Sequence, residues 1–398
     1  MHRLLEFQAN QIEAVLASHK ITSRVLGGTV TPRCVRFQVT TRLGTRLAEI
    51  SNLSEEIALS LQAPSCRVVR DKGNLHIEVP RAEPARVLLL DLCRRLAYAP
   101  PCSPLLGLDE AGTPLLLSLA SPDEAHVLIC GTTGSGKTAL ARSMALSLAM
   151  HNPQRQLQLL FIDPKGRGFA PLAGLPHLLA PPLTDVSQAL QRLLWLVQEM
   201  ERRDELGICS PRLVVFIDEL ADLLMMGGKE MELALTRLSQ RGREAGVHLV
   251  ACTQKPTAAV IGSLTKANFP VRLVGSVTSP EEAKVAAGVS GTGAERLLGR
   301  GDFLLVLKGQ SERFCAAYVK PEDAQQAVQG LRDAAPSRAS ARTGADQRSR
   351  KTESATVSGE GFAGSKVPVA ASPRPGLSTA NCELPTGNRQ PSWEVGNA

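Results

Sequence analysis

Aromatic side chains are scarce: Phe, Trp and Tyr together make up 3% of the 398 residues. That argues against a single-strand nucleic-acid binder, which stacks bases on aromatic platforms. The nine cysteines, at 34, 66, 93, 102, 130, 209, 252, 315 and 382, form no C-x-x-C pair, and the closest two stand nine apart. The paired thiolates of a zinc site are therefore missing. Cys130 and Cys252 fall inside apolar, strand-like runs, where a reduced thiol acts as a small hydrophobe. The expectation is a reduced, cytoplasmic protein. No uncharged apolar run reaches the length of about 18 residues that a membrane helix needs. The opening MHRLLEFQANQIEAVLASHK is interrupted by charges, so it reads as an amphipathic helix rather than a secretory signal.

What is present is an ordinary apolar fraction of 43% and a formal net charge of +7. A modest basic excess suits a polyanionic partner, although many proteins carry one without using it. Residues 1–104 read as a small α+β domain ending in a connector. RCVRFQVTT alternates as a strand over Arg33–Thr41. ISNLSEEIALSL reads as a helix with Ser51 or Ser54 as its N-cap. CRVVRDKGNLHIEVP reads as a hairpin that turns between Asp71 and Asn74. The Pro-rich YAPPCSP, residues 98–104, reads as the connector.

Residues 105–334 alternate apolar runs with helical stretches: HVLIC, LQLLFID, LVVFID, VHLVACT, VRLVGSV and DFLLVL. Buried runs spaced by helices predict an α/β fold with a mostly parallel sheet covered on both faces. Residues 335–398 are Ser, Ala, Gly, Arg and Thr with almost no large apolar side chain. Such a composition cannot bury a core, and the expectation is a disordered tail.

The chemistry is concentrated in HVLICGTTGSGKTALARSMAL, residues 126–146. Gly131-Thr132-Thr133-Gly134-Ser135-Gly136-Lys137-Thr138 fits G-x-x-x-x-G-K-[ST] at every fixed position, after an apolar run and before a helix. The glycines let successive backbone N–H groups converge on a phosphate, and the helix N-terminus adds positive potential. Lys137 would reach the β- and γ-phosphates and the Thr138 hydroxyl would ligate Mg²⁺. LVVFIDEL adds Asp218, suited to hold Mg²⁺ through water, and Glu219, suited to deprotonate the attacking water. An acidic pair at a strand end also suits a helix cap. The carboxylate pair and the lack of an NKxD guanine motif favour ATP over GTP. Gln254, ending VHLVACTQ, is a candidate to contact the γ-phosphate or the water; a satisfied loop glutamine is the less favoured reading.

These motifs do not stand alone. HVLICGTTGSGKT, FIDPKG, GLPHLLAPPLTD, QEMERR, VVFIDELADLLM, RLSQRGREAGVHLVACTQKP, LTKANFPVRLVGSVTS and LLGRGDFLLV follow in this order. Together they resemble the motor of the FtsK/SpoIIIE DNA translocases over about residues 45–320, with ISNLSEEIALSL resembling the small domain before that motor. The resemblance implies RecA-like motors in a hexameric ring that pump double-stranded DNA with ATP. It places Lys137, Thr138, Asp218, Glu219 and Gln254 in the nucleotide site. It places Arg243, in QRGREAG, as an arginine finger acting on a neighbouring subunit's γ-phosphate. A solvated helix-face arginine is the other reading of Arg243, and Arg272, in PVRLVG, is the second finger candidate. The chain departs from the chromosome-segregating members. Neither membrane helices nor a winged-helix domain is visible, Lys255 stands where arginine is common, and Lys137 to Asp218 is a short interval. A plasmid or mobile-element motor fits these departures. An ATPase that moves proteins, as in related secretion motors, is the reading from another functional class.

Overall fold

The structure is a computed structural model that describes residues 2–42, 44–71, 73–82, 84–96, 98–254, 268–334 and 392–395. The opening helix α1 (His2–Ser18) buries Leu5, Ala9, Ile12 and Leu16, a spacing that puts all four on one face. That face packs with Phe37, Ile77 and Val79 in the core of a small sheet. The sheet consists of β1 (Ser23–Val30), β2 (Cys34–Thr41), β3 (Arg67–Asp71) and β4 (Asn74–Pro80), antiparallel in the order β1-β2-β4-β3. The hairpin expected between Asp71 and Asn74 is present, with those two residues paired.

The single helix expected over ISNLSEEIALSL is two short ones, α2 (Leu47–Ser51) and α3 (Ser54–Ser60). Neither Ser51 nor Ser54 caps the second helix. Leu53 is its N-cap and makes no side-chain cap bond. Leu53 is buried with Ile50 and Ile57 in the small domain's core, so apolar packing rather than a capping hydroxyl sets where the helix begins.

The core of the larger half takes in residues from before the Pro-rich stretch. β5 (Val87–Leu88) and α4 (Leu89–Arg95) already contribute Val87, Leu89 and Leu92 to its core. Residues 98–104, expected as a connector, are exposed at Tyr98, Pro100 and Pro101 and buried from Cys102 to Pro104. The Cys102 N–H donates to Asn152 Oδ1 at 2.9 Å, and Cys102 and Ser103 are buried.

The chain then runs through β6 (Leu105–Asp109), β7 (Pro114–Leu116), β8 (Val127–Cys130), α5 (Lys137–His151), β9 (Leu157–Ile162), α6 (Val186–Leu206), β10 (Arg212–Ile217), α7 (Leu220–Arg241) and β11 (Val247–Thr253). β12 (Val271–Val274), α8 (Pro280–Ala287), β13 (Asp302–Leu307), β14 (Gln310–Tyr318) and α9 (Pro321–Ala334) follow. The sheet order is β7-β6-β14-β13-β12-β8-β11-β10-β9. The five strands from β12 to β9 are mutually parallel. From β12 outward, β13, β14, β6 and β7 pair antiparallel. The sheet is thus mixed, one half parallel as expected, from β12 to the edge strand β9, and the other an antiparallel wing. The wing turns on a two-residue loop, Lys308–Gly309, in which both residues have positive φ; that conformation matches the strand twist in tight hairpins.

Alternate residues of the parallel strands feed two cores. Val127, Ile129, Val214 and Phe216 pack with α5; Leu128, Cys130, Val215 and Ile217 pack with α6 and α7. Burial on both faces explains why these strands read as continuous apolar runs. The tail expected to be disordered lies outside the described residues except for β15 (Ser392–Val395), which pairs parallel with β1.

Candidate nucleotide-binding site

The loop Gly131–Gly136 leaves the carboxyl end of β8 and enters α5. Gly136 caps α5 in a left-handed conformation, φ 106°, which only glycine adopts without strain. Thr132 N–H donates to the Ser276 carbonyl at 2.8 Å, and the N–H groups of Arg300 and Gly301 donate to the carbonyls of Gly134 and Ser135 at 3.2 and 2.8 Å. The loop is therefore braced from the segments that follow β12 and precede β13. Lys137 is buried, and its Nζ donates to the carbonyls of Gly131 and Thr132 at 2.7 and 2.9 Å. Burial lowers its pKa.

Asp218 and Glu219 follow the end of β10, next to β8's neighbour β11 in the sheet. The Thr138 hydroxyl donates to Asp218 Oδ1 at 2.6 Å. Burial raises the Asp218 pKa, partly opposed by that hydrogen bond. A hydroxyl and a carboxylate in contact at a helix N-terminus are the hard oxygen donors that Mg²⁺ prefers, so the residues present fit that ion. Glu219 stands at the N-cap of α7 but makes no side-chain cap bond. Its carboxylate instead accepts from the Gln254 N–H, at 3.2 and 3.3 Å. Burial pushes its pKa up. The Gln254 side chain reaches across to the phosphate loop, where Oε1 accepts from the Thr133 hydroxyl at 2.8 Å. Thr133, Lys137, Thr138, Asp218, Glu219 and Gln254 thus form one site at the carboxyl edge of the sheet.

Sequence reasoning assigned no site role to Asp163, at the end of β9. It is fully buried and accepts from the N–H groups of Gly166, Gly168 and Phe169. The turn it holds sets Gly168 against the Thr138–Asp218 pair. An acidic residue closing an apolar strand in FIDPKG was the available signal.

The two finger candidates separate. Arg272 is buried within its own chain, and its Nη1 donates to the carbonyls of Val285 and Ala286 at the end of α8. Those bonds hold that helix end from within its own chain. Arg243 is exposed and paired with Glu244 at 3.2 Å. It precedes β11, whereas Gln254 follows it. Seven extended residues at about 3.3 Å each put Arg243 roughly 20 Å from its own chain's phosphate loop. There it lines a cavity of about 820 Å³ with His126, Cys209 and Arg241. Lys255 lies outside the described residues. Among those residues no cluster of three metal-ligating side chains occurs, and no helix is long and apolar enough to cross a membrane.

Comparison with known proteins matches the FtsK/SpoIIIE family over residues 99–206 and 209–258, and the FtsK alpha domain over residues 2–81. The chain belongs to the FtsK/SpoIIIE family. It is 34% identical over 361 residues to DNA translocase SftA of Bacillus subtilis (strain 168), covering 83% of this chain and 38% of that protein. It is 33% identical over 359 residues to DNA translocase FtsK of Sporosarcina ureae, covering 82% of this chain and 46% of that protein. The chain therefore spans less than half the length of these two relatives. Among solved structures, the pCW3 conjugation coupling protein TcpA with ATPγS superposes with a TM-score of 0.57 at 18% identity, over 82% of this chain and 99% of that one. The cytoplasmic domain of the Thermomonospora curvata type VII secretion ATPase EccC superposes at 0.54 with 24% identity, over 62% of this chain and 34% of that one. At these identities the likeness establishes the fold, that of P-loop ATPase motors.

Proposed function

We propose that this chain is an ATP-driven double-stranded DNA translocase that hydrolyses ATP at the subunit interfaces of a ring. The observation that carries the proposal is the assembly at the carboxyl edge. There, a phosphate loop touches both Asp218, through Thr138, and the Glu219–Gln254 pair, through Thr133. Lys137 and the loop N–H groups bind the phosphates. Thr138 and Asp218 would hold Mg²⁺, which supplies positive charge to the β- and γ-phosphate oxygens. Glu219, whose pKa burial raises, accepts the proton of the attacking water. Gln254 links that base to the phosphate loop through its main-chain N–H and its side chain.

Arg243 sits at the amino edge of the sheet, too far for its own site, and we assign it to a neighbour's γ-phosphate. That assignment requires a head-to-tail ring, for which six subunits is the family's expected number. The relatives' names as DNA translocases, at 33–34% identity, favour DNA as the cargo. The secretion-ATPase likeness rests on fold alone, so a protein cargo is the less supported reading.

The deciding measurement is steady-state ATPase activity with and without long duplex DNA at two salt concentrations. Strong stimulation by duplex, weak stimulation by single strands and loss at higher salt are expected. Absence of duplex stimulation would remove the DNA reading. Glu219→Gln is expected to bind ATP without turning it over, and Lys137→Ala to lose binding. Mixing Glu219→Gln with Arg243→Ala subunits should restore activity at those interfaces where an intact site meets an intact finger. Absence of rescue at every ratio would count against Arg243 acting in trans.

A further inference from the structure

Among its fifteen residues α5 carries two permanently charged side chains, Lys137 and Arg142. Lys137 is taken up by the phosphate loop. Arg142 stands four residues beyond Thr138, so the two share a face of α5. It is half-buried, and its Nε donates to the Gly168 carbonyl at 2.9 Å. We propose that Arg142 is a positioning residue for the Mg²⁺ ligands: by holding Gly168, it fixes the separation of Thr138 and Asp218. The inference rests on the reading of those two residues as the Mg²⁺ pair and adds the group that keeps them in place.

Three observations carry it. The first is connectivity. Thr138 belongs to α5, whereas Asp218 follows β10, and the Asp218 N–H donates to the Ile162 carbonyl of β9 at 3.0 Å. The Thr138–Asp218 hydrogen bond therefore joins the helix to the sheet, and its length depends on how closely α5 lies against the ends of β9 and β10. The turn after β9 fills that gap. Asp163 holds the turn from the strand side, accepting from the N–H groups of Gly168 at 2.7 Å and Phe169 at 3.2 Å. Arg142 holds it from the helix side. Gly168, gripped from both sides, is also the residue that abuts Thr138 and Asp218. The second is charge. The Asp163 carboxylate opposes ionisation of Asp218. Burial lowers the Arg142 pKa, and Tyr318, Asp218 and Asp163 act against that shift. A guanidinium stays protonated throughout, and a fixed cation beside two carboxylates favours their charged forms before an ion arrives. The third is the cost of burial. A half-buried guanidinium gives up water that an aliphatic side chain never held. The position calls for a donor rather than for bulk, because the carbonyl it meets belongs to the residue lying on the Mg²⁺ pair.

Mn²⁺, which takes the same oxygen donors as Mg²⁺, serves as the probe. It would be titrated into the full chain carrying one equivalent of ADP, with the bound ion counted from the loss of its free EPR signal. Calorimetric ADP binding in EDTA supplies the metal-free control. Arg142→Met keeps the aliphatic stem and loses the donor. Its Mn²⁺ affinity is expected to fall about 10–100-fold, the loss typical when a group orienting a metal ligand is removed, while ADP binding in EDTA stays within about twofold. Arg142→Gln places its amide nitrogen where Nε stands and should regain most of the Mn²⁺ affinity without the charge. Should Arg142→Met not fold, Arg142→Lys replaces it: the charge is kept, the nitrogen at that position is lost, and Mn²⁺ affinity should fall below that of Arg142→Gln. Unchanged Mn²⁺ affinity without the donor, an Arg142→Gln loss as large as that of Arg142→Met, or an equal loss of ADP in EDTA would overturn the positioning role. Asp218→Ala tests the reading beneath it: Mn²⁺ affinity unaltered in that variant would instead overturn the Mg²⁺ pair itself.

Discussion

Gly168 has no room for a side chain. A Cβ there would stand 2.9 Å from Thr138 Cγ2 and 3.1 Å from Asp218 Cγ. Gly168→Ala should therefore push apart the two groups assigned to Mg²⁺ and lower turnover by roughly tenfold or more, since an active-site displacement of about 1 Å can cost on the order of 10²-fold. Mg²⁺ titration of the ATPase would check this, with a raised Mg²⁺ requirement expected. At the other sheet edge, His126 and His248 are buried, and burial pulls their pKa values down to about 3 and about 4. The positive charges of Arg243 and Arg212 act in the same direction on His126 and His248 respectively. Both rings stay neutral in the folded chain, while in the unfolded chain they take up protons below about pH 6.5. Their contribution is thus complete above about pH 6.5 and falls as the pH drops toward 4, by up to about 1.4 kcal/mol per pH unit for each ring. Urea unfolding at pH 7, 6 and 5 should show His126→Asn with a shallower loss than the parent chain.

At the scale of elements, the turn Leu298–Asp302 carries the contact between the small domain and the phosphate loop. Arg33, in the turn between β1 and β2, donates from Nη2 to the carbonyls of Gly299 and Arg300, both at 2.9 Å, and its Nη1 pairs with Asp302 at 3.3 Å. Arg313 grips the same buried carboxylate in a fork at 2.9 and 2.7 Å. The turn's own N–H groups hold Gly134 and Ser135. Asp302→Ala would leave two guanidiniums facing an emptied site, and a loss of about 3–5 kcal/mol is expected on chemical unfolding. Arg33→Ala should weaken nucleotide binding severalfold. Arg33→Lys should restore little of that affinity, because an ammonium cannot match the guanidinium's planar fork. The sequence showed the parallel strands and the phosphate loop plainly, because full burial writes itself as apolar runs and the loop's geometry demands its glycines. It did not show β14, whose QSERFCAAY opens on four polar residues, three of them exposed, nor β5, only two residues long. It was silent on Arg33, whose partners lie 266 and 267 positions away. Arg272 misled for a similar reason: its carbonyl partners stand 13 and 14 residues on, and no local pattern announces such a contact.

Across the whole molecule, the phosphate loop and Arg243 occupy opposite edges of one sheet, so the proposed interface joins two different surfaces. Such a contact propagates head to tail, giving a ring where the rotation closes, and it cannot be satisfied in a two-fold dimer. ATPase activity per subunit should therefore rise with protein concentration, and a rate strictly proportional to concentration under dilution would count against it. The cavity beside Arg243 has a practical consequence. Cys209 is exposed there, whereas Cys34, Cys66, Cys93, Cys102 and Cys315 are held at about 11 or 12 by burial, and Cys130 and Cys252 are fully enclosed. Among the described cysteines, a maleimide dye at neutral pH should mark Cys209 alone, placing a fluorophore on the edge proposed to meet the next subunit. A chain with Cys382 replaced by serine would then report the proposed assembly, to be read as quenching when a neighbour's nucleotide site closes over the dye.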